Sequence, residues 1–130
     1  MPSNGRATGI GGFFFKAKNP EKLARWYEAM LGIQLTPKNY DDPPWRTEGG
    51  TTVFEPFAED TDYFGAEGQS WMINFRVDDL DHVVLRLRNA AHDVHYEGDG
   101  DPFPNGRFAK LHDPEGNAIQ LWEPGGKDPG

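Results

Sequence analysis

Asn19-Pro-Glu-Lys-Leu-Ala-Arg-Trp-Tyr-Glu-Ala-Met-Leu-Gly32 is the stretch from which the fold of this chain is read. Asn19 suits an N-cap, Pro20 the first helical position, and Glu21 sits where the helix dipole favours an anion. Leu23, Trp26, Tyr27, Met30 and Leu31 fall at i, i+3, i+4, i+7 and i+8, one apolar stripe. Gly32 is placed to end the helix in a left-handed turn. Just upstream, Phe13, Phe15 and Ala17 alternate with Phe14, Lys16 and Lys18, the pattern of a strand with an apolar back.

The same grammar returns later in the chain. Ile73, Phe75 and Val77 alternate before Asp78 and Asp79, and Leu80, Val83, Val84, Leu87 and Ala91 follow at helical spacing. Adding 60 carries Phe15 to Phe75, Ala17 to Val77, Asn19 to Asp79 and Leu23 to Val83. Val53-Phe54-Glu55-Pro56 is echoed by Leu121-Trp122-Glu123-Pro124 at an offset of 68. A unit of this length implies two halves packed as one domain. Asp113-Pro-Glu-Gly-Asn117 reads as the tight turn of a hairpin between strands 108–112 and 118–122.

Composition bounds the function. The chain has 130 residues, no cysteine and a net charge of −8, with four Trp and nine Phe. A chain of this size buries roughly two thirds of its unfolded surface, and large aromatic side chains supply much of that burial. Thiolate chemistry and disulfides are excluded. The acidic balance, with no Lys/Arg cluster, argues against nucleic acid as a partner. No apolar run near 20 residues and no charged-then-apolar leader is visible, so no membrane partner is expected and the expected location is cytoplasmic.

The helix above, Phe75-Arg-Val-Asp-Asp-Leu-Asp81 and the ending Asp113-Pro-Glu-Gly-Asn-Ala-Ile-Gln-Leu-Trp-Glu-Pro124 together resemble the vicinal-oxygen-chelate superfamily of glyoxalases, bleomycin resistance proteins and extradiol dioxygenases. The resemblance implies an α+β fold of two βαβββ modules forming a curved, mostly antiparallel, funnel-shaped sheet with outer helices. It places one domain over 8–124, with modules at about 8–56 and 71–124, a linker at 57–70 and flexible ends at 1–7 and 125–130. Many short members are dimers, so a homodimer is expected.

In metal-using members four strand positions supply His, Gln or Glu to a divalent cation. The resemblance carries these to Gly12, Thr52, Met72 and Gln120. Only the amide of Gln120 is a plausible donor there, so no cofactor is expected at the usual site. A divalent metal elsewhere stays open: Asp93, His95 and Glu97 alternate and would share a strand face, although charge on an edge strand is also how solubility is kept. His112 beside Asp113 reads as a turn contact, and His82 as a residue on the polar side of its helix.

Strand parity then assigns the funnel lining as Phe14, Lys16, Phe54, Asn74, Arg76, Phe108, Lys110, Gln120 and Trp122, a small-molecule site of aromatic walls and a few polar groups. Lys16 and Arg76 are counterparts in the two halves and either hold an anionic ligand group or serve as structure. Trp26 and Tyr27 belong to the core stripe, Trp45 lies in a loop and Trp71 opens a strand. Tyr63 and Phe64 in the linker read as hydrophobic pegs. No catalytic residue is assigned. The leading expectation is a small-molecule binder without the usual metal. The alternatives are a glyoxalase-like lyase or isomerase using a relocated metal or a Lys/Arg pair, and a protein interaction module.

Overall fold

The computed structural model describes residues 5–65 and 68–128. Positions 1–4, 66–67 and 129–130, which belong to the expected flexible ends and linker, lie outside the described residues.

Helix α1 spans Pro20–Leu31 as its capping residues require: the Asn19 side chain accepts from the Lys22 amide, and Gly32 adopts φ 69°, ψ 21°. Strand β1 (Ile73–Arg76) leads into helix α2 (Leu80–Asn89), whose N-cap Asp79 accepts from the His82 amide. Then come β2 (His95–Tyr96), a 3₁₀ turn (Glu97–Gly100), β3 (Gly106–His112) and β4 (Ala118–Pro124). The sheet order is β1-β4-β3-β2; β1 runs parallel to β4 and the other pairs are antiparallel. The fold is α+β, an open, curved, mostly antiparallel four-stranded sheet with two helices. The second half forms a βαβββ unit, as the family resemblance implies.

The apolar stripes of both helices meet one sheet face. Leu23 and Tyr27 of α1 and Leu80, Val83, Val84 and Leu87 of α2 cluster with Ala109, Leu111, Ile119 and Leu121. Leu80, Leu87, Ile119 and Leu121 are fully buried, each side chain contributing on the order of 1.5–3 kcal/mol through its transfer from water. Carboxylates from the closing hairpin fasten both helix entrances. Glu115 accepts from the amides of Lys18 and Asn19, and Glu123 accepts from the amide of Leu80, the first residue of α2. Gly106, at φ 130°, lets β3 start against β4, because a Cβ there would lie 2.2 Å from the Glu123 carbonyl oxygen.

The structure departs from the sequence pattern in three places. In the first half only α1 takes regular structure among the described residues, and the stretches expected as strands at 13–17 and 53–56 run without a ladder. Their alternation survives all the same: Phe13 and Phe15 pack on Trp71 at 5.1 and 5.4 Å, while Phe14 points outward and is 93% exposed. Alternation decides which side a residue faces, but a strand also needs a neighbour for its N–H and C=O groups. Ala91, expected on the stripe of α2, lies beyond that helix at φ 68° and exposed. Asp93, His95 and Glu97 do not share a strand face, because β2 ends at Tyr96 and Gly98 and Asp99 take left-handed conformations. Among the described residues no helix is long and apolar enough to cross a membrane.

Candidate functional site

Register locates the site. Asn74 pairs with Gln120 and Arg76 with Trp122 across β1 and β4, while Lys110 pairs with Gln120 and Phe108 with Trp122 across β3 and β4. Directly paired residues project to the same side of a sheet, so these six share the face turned away from the helices. Six of the nine residues assigned from strand parity are thus brought together. Phe14, Lys16 and Phe54 are not among them: they lie on the extended first half, where Phe14 and Phe54 are exposed, and Lys16 edges a shallow recess with Phe15, Trp71 and Glu115.

The open face has two ends of different chemistry. At one end the Phe108 and Trp122 rings lie parallel at 6.0 Å, with Phe103 edge-on to Phe108 at 5.8 Å. The Trp122 indole N–H is satisfied by the Asn105 carbonyl at 2.9 Å, which fixes the ring plane. At the other end Asn74 Nδ2 donates to Gln120 Oε1 at 2.7 Å. Gln120 Nε2 donates to the Tyr63 hydroxyl at 2.9 Å and to Glu97 Oε2 at 3.2 Å, and Tyr63 donates to Glu97 Oε1 at 2.8 Å. The Lys110 ammonium lies 4.1 Å from the centre of the Tyr63 ring and donates to the Tyr63 carbonyl. Burial, followed by the Glu97 hydrogen bond and charge, pushes the Tyr63 phenol up to about 12, so it is a neutral donor at physiological pH.

Tyr63 and Glu97 were not in the sequence-derived set. Within the linker, the Phe57 ring lies 5.8 Å from Tyr63 and 5.2 Å from Phe64. The sequence offers no signal for where the Tyr63 hydroxyl ends, since no periodicity links a linker to a sheet face. Arg76 is used structurally: its guanidinium donates to the carbonyls of Glu48 at 2.9 Å and Thr51 at 2.5 Å, strapping that segment to β1.

Gly12 and Met72 offer no hard donor, and Thr52 has only a hydroxyl on an exposed, unpaired segment. The Gln120 oxygen, the one plausible ligand atom of the four positions, accepts from Asn74. Among the described residues no three His, Cys, Asp or Glu side chains gather as a cation site. His95 is paired with Asp93 at 3.0 Å on the surface, and Glu97 turns to Tyr63. His112 is exposed, and its neighbour Asp113 is instead the buried centre of the hairpin.

Comparison with known proteins extends these observations. The structure of a glyoxalase/bleomycin resistance protein/dioxygenase domain from Frankia sp. EAN1pec matches with a TM-score of 0.57 and 16% identity, over 92% of this chain and all of that one. An antibiotic binding protein, TnmS3, from Streptomyces sp. CB03234 is 33% identical with a TM-score of 0.38, over 43% of this chain and 45% of that chain. The chain therefore spans less than half the length of that protein. No curated protein matches the chain. The family model for the glyoxalase-like domain matches residues 12–122. With that match spanning both helices and nearly the whole sheet, the chain belongs to the glyoxalase-like domain family.

Proposed function

We propose that the chain is a cytoplasmic, metal-independent binder of small aromatic molecules, working as a homodimer, with its ligand on the open face of the sheet. The observation that carries this reading is the division of that face: Phe108, backed by the buried Trp122, offers an apolar surface for a planar ring, and Asn74 and Lys110, set around the buried Gln120, offer orienting polar groups. A divalent cation has no part in the reading, because the four positions the family uses for one hold Gly12, Thr52, Met72 and a Gln120 whose oxygen is already engaged. The dimer is supported by the exposed apolar residues of the first half, Ile10, Phe14, Val53 and Phe54, which a second copy would cover. A lyase or isomerase using Lys16 with Arg76 has less support, since Arg76 is committed to backbone carbonyls.

Isothermal titration of wild-type protein and Phe108→Ala with a panel of planar aromatic metabolites tests the reading. Binding by the wild type that weakens at least about tenfold in Phe108→Ala is expected. Silence across the panel from folded protein sinks it, and a stoichiometric metal in gently purified protein transfers support to the enzyme. Sedimentation should report a dimer. A monomer with exposed Phe14 and Phe54 would favour an interaction module instead.

A further inference from the structure

The linker residue Tyr63 sits on the polar end of the open face as a ligand would. Its hydroxyl both gives and takes a hydrogen bond there, donating to Glu97 at 2.8 Å and accepting from Gln120 at 2.9 Å, while its ring lies over the Lys110 ammonium at 4.1 Å. No ladder holds this residue: the described residues around it form turns only, and Tyr63 remains 37% exposed.

We propose that Tyr63 is a built-in stand-in for the ligand, and that the site takes neutral hydroxyaromatic molecules, whose phenol displaces the Tyr63 side chain and occupies the same partners. This rests on the reading of the open face as the binding site. The partners select the class. A carboxylate would meet Glu97 with like charge and bring no proton to replace the bond that Tyr63 donates to its Oε1. An ammonium could pair with Glu97 but would face Lys110 and could not accept from Gln120. A bare aromatic hydrocarbon would leave Glu97 and Gln120 each short of a hydrogen bond, the omission for which polar sites discriminate most strongly. A neutral phenol satisfies all three neighbours, and its ring keeps the cation–π contact with Lys110. Because the free protein spends part of its population with Tyr63 in place, the apparent affinity for an external phenol is lowered by the cost of displacing it.

The probe is para-cresol, the tyrosine side chain as a free molecule, with toluene as its hydroxyl-free control. Tyr63→Ala should bind para-cresol at least about tenfold more tightly than the wild type and more tightly than toluene, and adding Glu97→Gln should reduce that preference. In the wild type, para-cresol should shift the Tyr63 ring resonances ahead of those of the other tyrosines, a readout that does not depend on the variant folding. Equal affinity of folded Tyr63→Ala and wild type, or para-cresol binding that leaves the Tyr63 resonances in place, overturns the proposal. If planar aromatics still bind in a Phe108-dependent way under either outcome, the open-face site stands and only the stand-in falls. If neither para-cresol nor the aromatic panel binds to either protein, both fall.

Discussion

The Tyr27 hydroxyl donates to Asp113 Oδ2 at 2.7 Å, joining the middle of α1 to the turn of the closing hairpin 86 residues later. The same carboxylate also accepts from the amides of Glu115 and Asn117 and from Asn117 Nδ2. Asp113 is 4% exposed, and its bond with Tyr27 is buried while those from the turn are half-buried.

Tyr27→Phe should cost about 1–2 kcal/mol, the loss of one buried charge-assisted hydrogen bond. Asp113→Ala should cost about 3 kcal/mol or more, because it strands the tyrosine and two turn amides together. Urea unfolding of the two variants and the double mutant measures both. Additive losses would contradict the direct coupling of the pair.

Alkaline pH should destabilise the protein through its tyrosines. Burial, then the Asp113 hydrogen bond, raises the Tyr27 phenol beyond the ordinary tyrosine range, and Tyr63 is raised to about 12. The folded state therefore keeps protons that the unfolded chain releases from its ordinary value of 10.0 upward, and stability must fall as pH climbs above that value. Asp81 acts at the other end. Hydrogen bonds from Arg107 and Tyr96 lower its carboxyl, so its contribution is present above 3.8 and is lost as pH falls below it. Melting curves followed by tryptophan fluorescence should show decline on both limbs, with the alkaline one shallower in Tyr27→Phe.

Gln120→Glu, which places a carboxylate at the last-strand position, should destabilise the fold by about 1–3 kcal/mol at pH 7, because two donated hydrogen bonds are replaced by repulsion against Glu97. The introduced carboxyl would have a folded value above its unfolded one, so the deficit should shrink at pH 5 and grow as pH rises. Thermal unfolding at the two pH values decides it, and an equal deficit at both would show that charge is not the cause.

Two backbone positions predict opposite signs. Gly106→Ala places a Cβ against the Glu123 carbonyl oxygen and 2.9 Å from the Trp122 indole nitrogen, and should cost more than about 3 kcal/mol or prevent folding. Ala91→Gly relieves a left-handed alanine at φ 68° and should stabilise by about 0.5–1 kcal/mol. Guanidinium unfolding reads both.

What could be read from the sequence follows from how local each determinant is. The caps Asn19 and Asp79 and the terminator Gly32 act within one turn, and both helices begin where they place them. Parity along β1, β3 and β4 put Asn74, Arg76, Phe108, Lys110, Gln120 and Trp122 on one face, because each of these strands has a partner to hold its pleat. The same parity at Phe14 and Phe54 led nowhere in the single chain, where no adjoining strand fixes either residue to a sheet. Tyr63 reaches Glu97 and Gln120 by a path through an irregular segment, and side-chain reach of that kind leaves no periodic trace.

β4 lies between β1 and β3, yet it is the last of the four strands to be synthesised. Until it emerges, β1 has no neighbour and the entrance of α2 waits for Glu123. A translating ribosome would therefore hold two amphipathic helices with only the β2–β3 pair of the sheet to lie on. Products of premature termination before Ala118 would be substrates for proteolysis and could not survive as partial domains.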